Sequence, residues 1–401
     1  MNVGFVVYGD IETTSGGFFY DRKLIEGLRE RGDTVAVIEL PWPSYAHGLF
    51  GGAVRRVRGL GDEFDSVGSF DVLVQDELAH PTLVSANAGL RRRFEGPIVS
   101  IVHHLRCSEA HPRPETALYR AVEQRYLRSV DAAICNSAFT RETVTDLAPL
   151  ATTVVPPAGD RFDPAIDAAM ITERAQDGPL RVVFLGSVVP RKGLHTLIEA
   201  LARLPDERWR LTVVGDVGTN PAYTRRVRRT ASRLGVRDRI ETMGTLPDGD
   251  LEACLRENHI LAIPSTHEGF GIAYLEGMSF GLPALATTAG GAREVVTHGE
   301  TGFLCAPGDV GDLARWLRGL VEDRTLLAEL GVAARERYDA HPSWADSAAQ
   351  VGAFLDRVVA SEVPMGFITD GDGNDGGDGD DSSDGHDGEG SDAGEVSHAV
   401  A

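Results

Sequence analysis

Lysine is nearly absent from this chain: of 39 Lys and Arg residues only Lys23 and Lys192 are lysines, leaving 37 arginines. A lysine kept in such a background marks a place where a compact ammonium matters, which draws attention to Lys192. Cysteine is as scarce. Cys107, Cys135, Cys254 and Cys305 lie far apart with no paired spacing, which excludes a zinc framework and a disulfide scaffold and leaves four small core residues. No apolar run approaches the ~20 residues of a membrane span. The opening Met1-Asn-Val-Gly-Phe-Val-Val reads as a first strand and not as a signal peptide, so a cytoplasmic protein is expected.

Positive charge is short overall. Sixty acids against 39 basic residues give a formal net charge of −21, which argues against a nucleic-acid partner. Eleven of those acids and no Lys or Arg fall in 366–401, leaving −10 on the first 365 residues. This Asp/Gly-rich tail has too little apolar surface to order and is expected to be a disordered, solubilising segment. Its Asp370-Gly-Asp372-Gly-Asn374 run has Asp375 where a calcium loop needs glycine, and no Glu in register. Acid excess with scarce lysine suits a halophilic, high-salt cytoplasm, a hypothesis that solubility without added salt would sink.

At 42% apolar content, 401 residues bury a large core and suggest about two domains. Short apolar runs predict strands at Val3–Tyr8, Val35–Leu40, Val72–Gln75, Ile98–Val102, Ala132–Cys135 and Thr153–Val155. A second series follows at Arg181–Leu185, Leu211–Val214, Ile240–Met243, Ile260–Ile263, Ala284–Ala286 and Gly302–Cys305. Strands alternating with helical stretches argue for parallel, doubly wound sheets, and two series argue for two Rossmann-like α/β domains facing a cleft. The expected bounds are 1–160 and 165–341, with a helix in 342–360 crossing back onto the first domain and Pro156 to Pro179 as the connector.

The most informative block is Glu268-Gly-Phe-Gly-Ile-Ala-Tyr-Leu-Glu276, two carboxylates around a glycine turn. Ile260–Ile263 reads as a buried strand and Ile272–Phe280 as a helix that Gly281-Leu-Pro283 stops. Glu268 then falls at a strand's carboxyl end, and the amides of Phe270 and Gly271 are presented at a helix N-terminus, where α/β sheets hold anions. Paired carboxylates in a cleft accept hydrogen bonds from vicinal hydroxyls; the bland alternative is a dipole-favoured Glu beside a solvated one. Upstream, Gly186-Ser187-Val-Val-Pro190-Arg191-Lys192-Gly193 joins a strand to a helix. A Gly turn, two cations and a helix start make a diphosphate site, whereas a basic helix start without an anion is unfavourable. Ser15-Gly16-Gly17 opens the first helix, Gly290-Gly291 brings backbone close to a ligand, and His103-His104 ends a strand at the cleft edge with no carboxylates at metal spacing.

These residues resemble the retaining, nucleotide-sugar-dependent glycosyltransferases of family 4, of GT-B fold, over nearly everything from Met1 to about Ala360. Glu268 to Glu276 is similar to the family's Glu-x7-Glu motif, followed by Gly281-Leu-Pro283, Gly290-Gly291, Glu294, Thr301-Gly-Phe303 and Pro307-Gly-Asp309; Arg191-Lys192-Gly193 is similar to its diphosphate segment. Weaker matches are Gly16-Gly17, His103, Asn136-Ser137 and Val155 to Asp160.

The resemblance implies that Glu268 contacts the donor sugar, with Gly269, Phe270 and Gly271 around it, and that Glu276 holds the ribose hydroxyls. It implies that Arg191 and Lys192 hold the leaving diphosphate beside Gly186, and that His103, or His104 one step on, lines the reacting carbon. Ser187 departs from the pattern, standing where many members carry Arg. Neither metal nor separate cofactor is required if Arg191 and Lys192 stabilise the departing diphosphate. The implied partners are a nucleotide-sugar donor and a glycan or lipid-linked acceptor. The alternatives are a catalytically inert nucleotide-sugar-binding subunit, or a phosphorylase or epimerase of the same architecture. Arg55-Arg-Val-Arg58 and Arg91-Arg-Arg93 are basic clusters suited either to solvated helix faces or to peripheral contact with the inner face of an anionic membrane.

Overall fold

The structure, a computed structural model, describes residues 1–13, 15–40, 44–49, 67–109 and 111–362. The acidic tail and the Arg55 to Arg58 cluster lie outside the described residues. The first six strands, β1 (Asn2–Tyr8), β2 (Thr34–Leu40), β3 (Val72–Asp76), β4 (Ile98–Val102), β5 (Ala132–Cys135) and β6 (Ala151–Val154), form one parallel sheet in the order β2-β1-β3-β4-β5-β6. The next six, β7 (Leu180–Leu185), β8 (Trp209–Val214), β9 (Ile240–Gly244), β10 (Ile260–Ala262), β11 (Ala284–Thr287) and β12 (Gly302–Cys305), form a second in the order β12-β11-β10-β7-β8-β9. This is the GT-B architecture. Each of the twelve expected strands is present, most within a residue or two of its predicted bounds.

The reason lies in burial on both faces. Val3, Phe5, Val6 and Val7 of β1 are all fully buried, as are Val182, Val183 and Phe184 of β7. Parallel strands covered by helices on both sides read as continuous apolar runs, each large side chain contributing roughly 1.5–3 kcal/mol. Between the sheets, the expected connector is more than loop. Asp167 caps a helix, Ala168–Gln176, by accepting from the Met170 amide at 2.8 Å, and Ile171 and Ala175 are buried in its packing. The run Ala168 to Gln176 is all helix-compatible, a signal overshadowed by the prolines and glycines at either end of the connector. The last described helix, Trp344–Val359, packs on helix Gly16–Glu30 closely enough that a β-carbon on Gly27 would meet Ala348 Cβ at 2.3 Å.

Strand order reverses at two places, between β1 and β3 and between β7 and β10. Loops at the carboxyl ends of such strands diverge and leave a crevice where doubly wound sheets bind ligands.

Candidate active site

In the second half, the crevice is built by the loops after β7 and β10. A 3₁₀ turn, Pro190–Lys192, ends at Gly193, whose φ of 71° belongs to the left-handed region, and helix Leu194–Leu201 follows. A β-carbon on Gly193 would lie 2.1 Å from the Pro264 carbonyl oxygen, so only glycine lets this turn pack against the β10 loop. That approach brings the Lys192 ammonium onto Glu268, donating to Oε1 and Oε2 at 2.9 Å each. Ser265 Oγ donates to the same carboxylate at 2.8 Å, and Arg191 Nη1 stands 3.9 Å from it while donating to the His267 carbonyl. Burial alone would raise the Glu268 carboxyl; Lys192, then Arg191, outweigh it and hold the group at about 2. Burial lowers Lys192, and the adjacent Glu268 offsets part of that effect.

Behind Glu268 the backbone is locked. Gly291 N donates to the Glu268 carbonyl at 2.8 Å, and a β-carbon on Gly290, at φ 75°, would meet that same oxygen at 2.0 Å. The glycine pair therefore serves close backbone approach. Helix Ile272–Ser279 starts just after Gly271, at φ 112°, and carries Glu276 on its buried side. Glu276 has a partner that sequence reasoning missed. Arg161, in the connector, reaches it at 3.3 Å through Nη1 and pairs through Nη2 with Asp248. Burial raises the Glu276 carboxyl and Arg161 opposes it. Asp248-Gly-Asp250 is an Asp-x-Asp sequence within the folded body, the spacing that can hold a metal; here it opens helix Asp248–Glu257, with Asp248 engaged by Arg161.

The first half meets this site along one edge. Ser137 Oγ donates to the Gly269 carbonyl at 2.9 Å, and a β-carbon on Gly269 would lie 2.5 Å from the His103 carbonyl oxygen. Glu294 accepts from the Ala138 and Phe139 amides, both at 2.9 Å, so a carboxylate of one half occupies a helix N-terminus of the other. The two histidines separate in role. His103 is buried, its ring against Gly17 and its Nε2 3.0 Å from Asp21 Oδ1. His104 bonds Glu109 at 2.7 Å and packs its ring 5.3 Å from that of His267. Glu109 in turn stands 3.5 Å from Arg191 Nε. Burial works to raise the Glu109 carboxyl, but His104, then Arg191, bring it down to about 2, while burial with its cationic neighbours pulls His267 down to about 4.

Lys192, Arg191, Glu268, Gly186 and Ser187 therefore converge at one switch point, and Glu276 follows on the adjoining helix. Gly16, Gly17 and His103 converge at the other. Asp21, Glu109 and Arg161 were not singled out from the sequence, because each is one acid or arginine among many with no motif around it. Of the Arg91–Arg93 cluster, Arg91 is bound to Asp131 at 2.6 Å.

This geometry has counterparts. A family model described as glycosyl transferases group 1 matches residues 167–337, and one described as Glycosyltransferase Family 4 matches residues 16–160. A D-inositol 3-phosphate glycosyltransferase of Corynebacterium glutamicum is 31% identical over 294 residues, covering 68% of this chain and 69% of that protein. The chain belongs to glycosyltransferase family 4. A glycogen synthase of Mycobacterium tuberculosis is also 31% identical, over 70% of this chain and 66% of its own length. Among solved structures, sucrose-phosphate synthase from Thermosynechococcus elongatus superposes with a TM-score of 0.74 at 22% identity, covering 90% of this chain and 99% of that one. HepE of Anabaena, solved with UDP and glucose, gives 0.71 at 21% identity over 89% of this chain and 99% of its own. At such identities these structures attest the GT-B fold. The chain is thus a glycosyltransferase by family, and among the described residues no helix is long and apolar enough to cross a membrane.

Proposed function

We propose that this glycosyltransferase moves a sugar from a nucleotide-sugar donor to an acceptor hydroxyl with retention of anomeric configuration. A glycan or lipid-linked acceptor fits best, in glycan, glycolipid or cell-surface polysaccharide synthesis on the cytoplasmic side. The observation that carries the reading is the Lys192–Glu268 pair at the switch point of the second sheet, one loop away from Glu276. Breaking the anomeric C–O bond leaves its electron pair on the diphosphate and oxocarbenium character on the sugar. Lys192 and Arg191 stabilise the first charge, so the chemistry needs no metal; Glu268 accepts from donor-sugar hydroxyls and Glu276 from the ribose. The acceptor oxygen forms the new bond on the face the leaving group vacates, its proton passing to the departing phosphate. UDP and glucose in the HepE complex favour a uridine diphosphate sugar as the first donor to try.

The test is a panel of sugar nucleotides scored by thermal stabilisation and slow hydrolysis, with Lys192→Ala alongside. One or two donors should raise the melting temperature of the wild type and be hydrolysed, and Lys192→Ala should lose both responses. If both proteins respond alike to every donor, the diphosphate assignment is wrong. Proton NMR of the transferred sugar's anomeric signal decides stereochemistry, and an inverted product would remove the retaining mechanism. Donor binding without turnover against any acceptor would favour the inert-subunit reading.

A further inference from the structure

On the first-domain side of the cleft lies a group of charges with no part in the proposal above. Asp21, in the second turn of helix Gly16–Glu30, Asp76 at the end of β3 and the adjacent Glu77 surround His103 at the end of β4. All four are buried, the three acids to 1% exposure or less. His103 Nε2 lies 3.0 Å from Asp21 Oδ1 and 3.9 Å from Asp76 Oδ1, and the His103 amide donates to Glu77 Oε2 at 2.7 Å. Tyr20 packs edge-on against the imidazole at 5.4 Å, and a β-carbon on Gly17 would come within 3.4 Å of it, so the ring is clamped from two sides. Among the described residues, Asp21 Oδ2 and Asp76 Oδ2 are buried with no hydrogen-bond partner. Stability does not explain this arrangement, since buried ion clusters are commonly matched or bettered by apolar packing.

We propose that Asp21 is a positioning residue for sugar transfer: it fixes the Nε2–H of His103, so that the ring offers its other nitrogen, Nδ1, to the donor sugar as a hydrogen-bond donor. This rests on the reading of the cleft as the sugar-transfer site. Among the described residues Nδ1 has no protein partner, and it is the nitrogen left for a ligand. Burial would neutralise the imidazole, but the neighbouring acids, Asp21 foremost, raise its proton affinity. Burial and mutual repulsion push Asp76 itself up to about 7 and Glu77 above its ordinary value, so Asp21, in direct contact at 3.0 Å, is the partner that counts most. The other titratable and charged groups about the cluster are Tyr8, Tyr20, Tyr126 and Cys135, which burial keeps protonated, the Arg106 guanidinium, and Glu123, which acts on Glu77 and is itself raised by burial. An imidazolium has no free lone pair. His103 therefore cannot take the acceptor's proton, and its contribution is a hydrogen bond to the donor sugar that tightens as the sugar reaches the transition state.

The first test needs no donor. In histidine-¹⁵N-labelled full-length protein, with His103→Gln assigning the signals, both His103 nitrogens should stay protonated to about pH 8, and Asp21→Asn should be neutral there. A neutral wild-type His103 at pH 7, or an Asp21→Asn variant that keeps the charged signals, overturns the proposal. Asp21→Glu retains the carboxylate and decides the matter should the Asn variant fail to fold: it should keep the charged signals. With the best sugar nucleotide of the panel, Asp21→Asn should lower kcat by roughly 10- to 100-fold with donor KM changed less than about threefold, and Asp21→Glu should restore part of it. An unchanged kcat overturns the role. A divalent ion copurifying at one per chain and lost in Asp21→Asn overturns it too, since Nε2 would then be a ligand and not a donor. A panel that yields no donor sinks the proposed function while the titration still judges Asp21.

Discussion

Replacing Lys192 by methionine removes the ammonium while keeping most of the side-chain volume. The ammonium bonds both Glu268 oxygens at 2.9 Å, with the two side chains only 16% and 12% exposed. Removing one member of so buried a pair leaves an uncompensated charge, a loss of about 3–5 kcal/mol. The pH dependence has a definite sign. A carboxyl held at about 2 in place of its ordinary 4.5 adds stability that is complete above about pH 4.5 and is lost as pH falls towards 2. That shift corresponds to about 3 kcal/mol. In Lys192→Met the main depressing charge is gone, and burial, opposed by Arg191 at 3.9 Å and by the Ser265 hydroxyl at 2.8 Å, pushes the carboxyl upward. The variant then loses stability as pH rises through that higher value. Melting curves taken from about pH 3.5 to about pH 7.5 should show wild type and variant close together in acid and separating as pH rises. In turnover, loss of a charge aimed at the leaving group should cost about 10²–10³ in kcat. A melting gap of the same size at both ends of the pH range, with donor turnover within about threefold of wild type, would refute the reasoning.

Four further outcomes follow from the same geometry. Arg161→Met frees Glu276 from its connector cation; burial should raise that carboxyl further and donor KM should rise about 3- to 10-fold near neutral pH, measured by initial rates, unless ribose binding does not use Glu276. Glu294→Gln weakens two charge-assisted bonds to the Ala138 and Phe139 amides at about 1.5–3 kcal/mol in total; hydrogen exchange at residues 138–140 should quicken, and unchanged protection would show that the contact is not a latch between the halves. Gly290→Ala forces a β-carbon against the Glu268 carbonyl at φ 75°; it should lower the melting temperature and turnover together, by about 1–3 kcal/mol in stability, and an Ala variant of wild-type stability would mean the loop shifts freely. Excess EDTA should leave donor hydrolysis unchanged, and loss of activity restored by a divalent metal would overturn the metal-free proposal.

The sheets were legible because buried parallel strands leave a strong mark: runs such as Ala132–Cys135, and Ile98–Val102 with Ser100 its one polar residue, end at polar turns, so their bounds match the structure. Helix Ala168–Gln176 was hidden because the prolines and glycines around it signal a loop while its own residues carry no strong periodicity. In the candidate site, glycines, cations and carboxylates at characteristic spacing drew attention to Lys192, Glu268 and Glu276, and the fold brings the first two together with the third on the adjoining helix. Their partners were another matter. Asp21 meets His103 from 82 residues away and Arg161 meets Glu276 from 115, and a sequence of 60 acids and 39 basic residues offers no way to choose such pairs without the fold.

Those partners also explain how a highly charged cleft stays folded before a donor arrives. Glu268 and Glu276, the two carboxylates read as sugar clamps, are each held by a basic side chain from outside their own loop, Lys192 from the β7 turn and Arg161 from the connector. A carboxylate buried alone would shift to its neutral form and lose much of its acceptor strength. Paired, Glu268 stays ionised down to about pH 2, and its oxygens remain full acceptors. On the proposed reading, a nucleotide diphosphate would bring its own negative charge to Lys192 and Arg191 and turn part of their attraction away from Glu268. The carboxylate would then be free to take sugar hydroxyls at the moment the cation takes phosphate. On this argument the Lys192–Glu268 pair is the resting form of the site, and donor binding is an exchange of partners within it, which is why the loss of either member should damage both binding and stability.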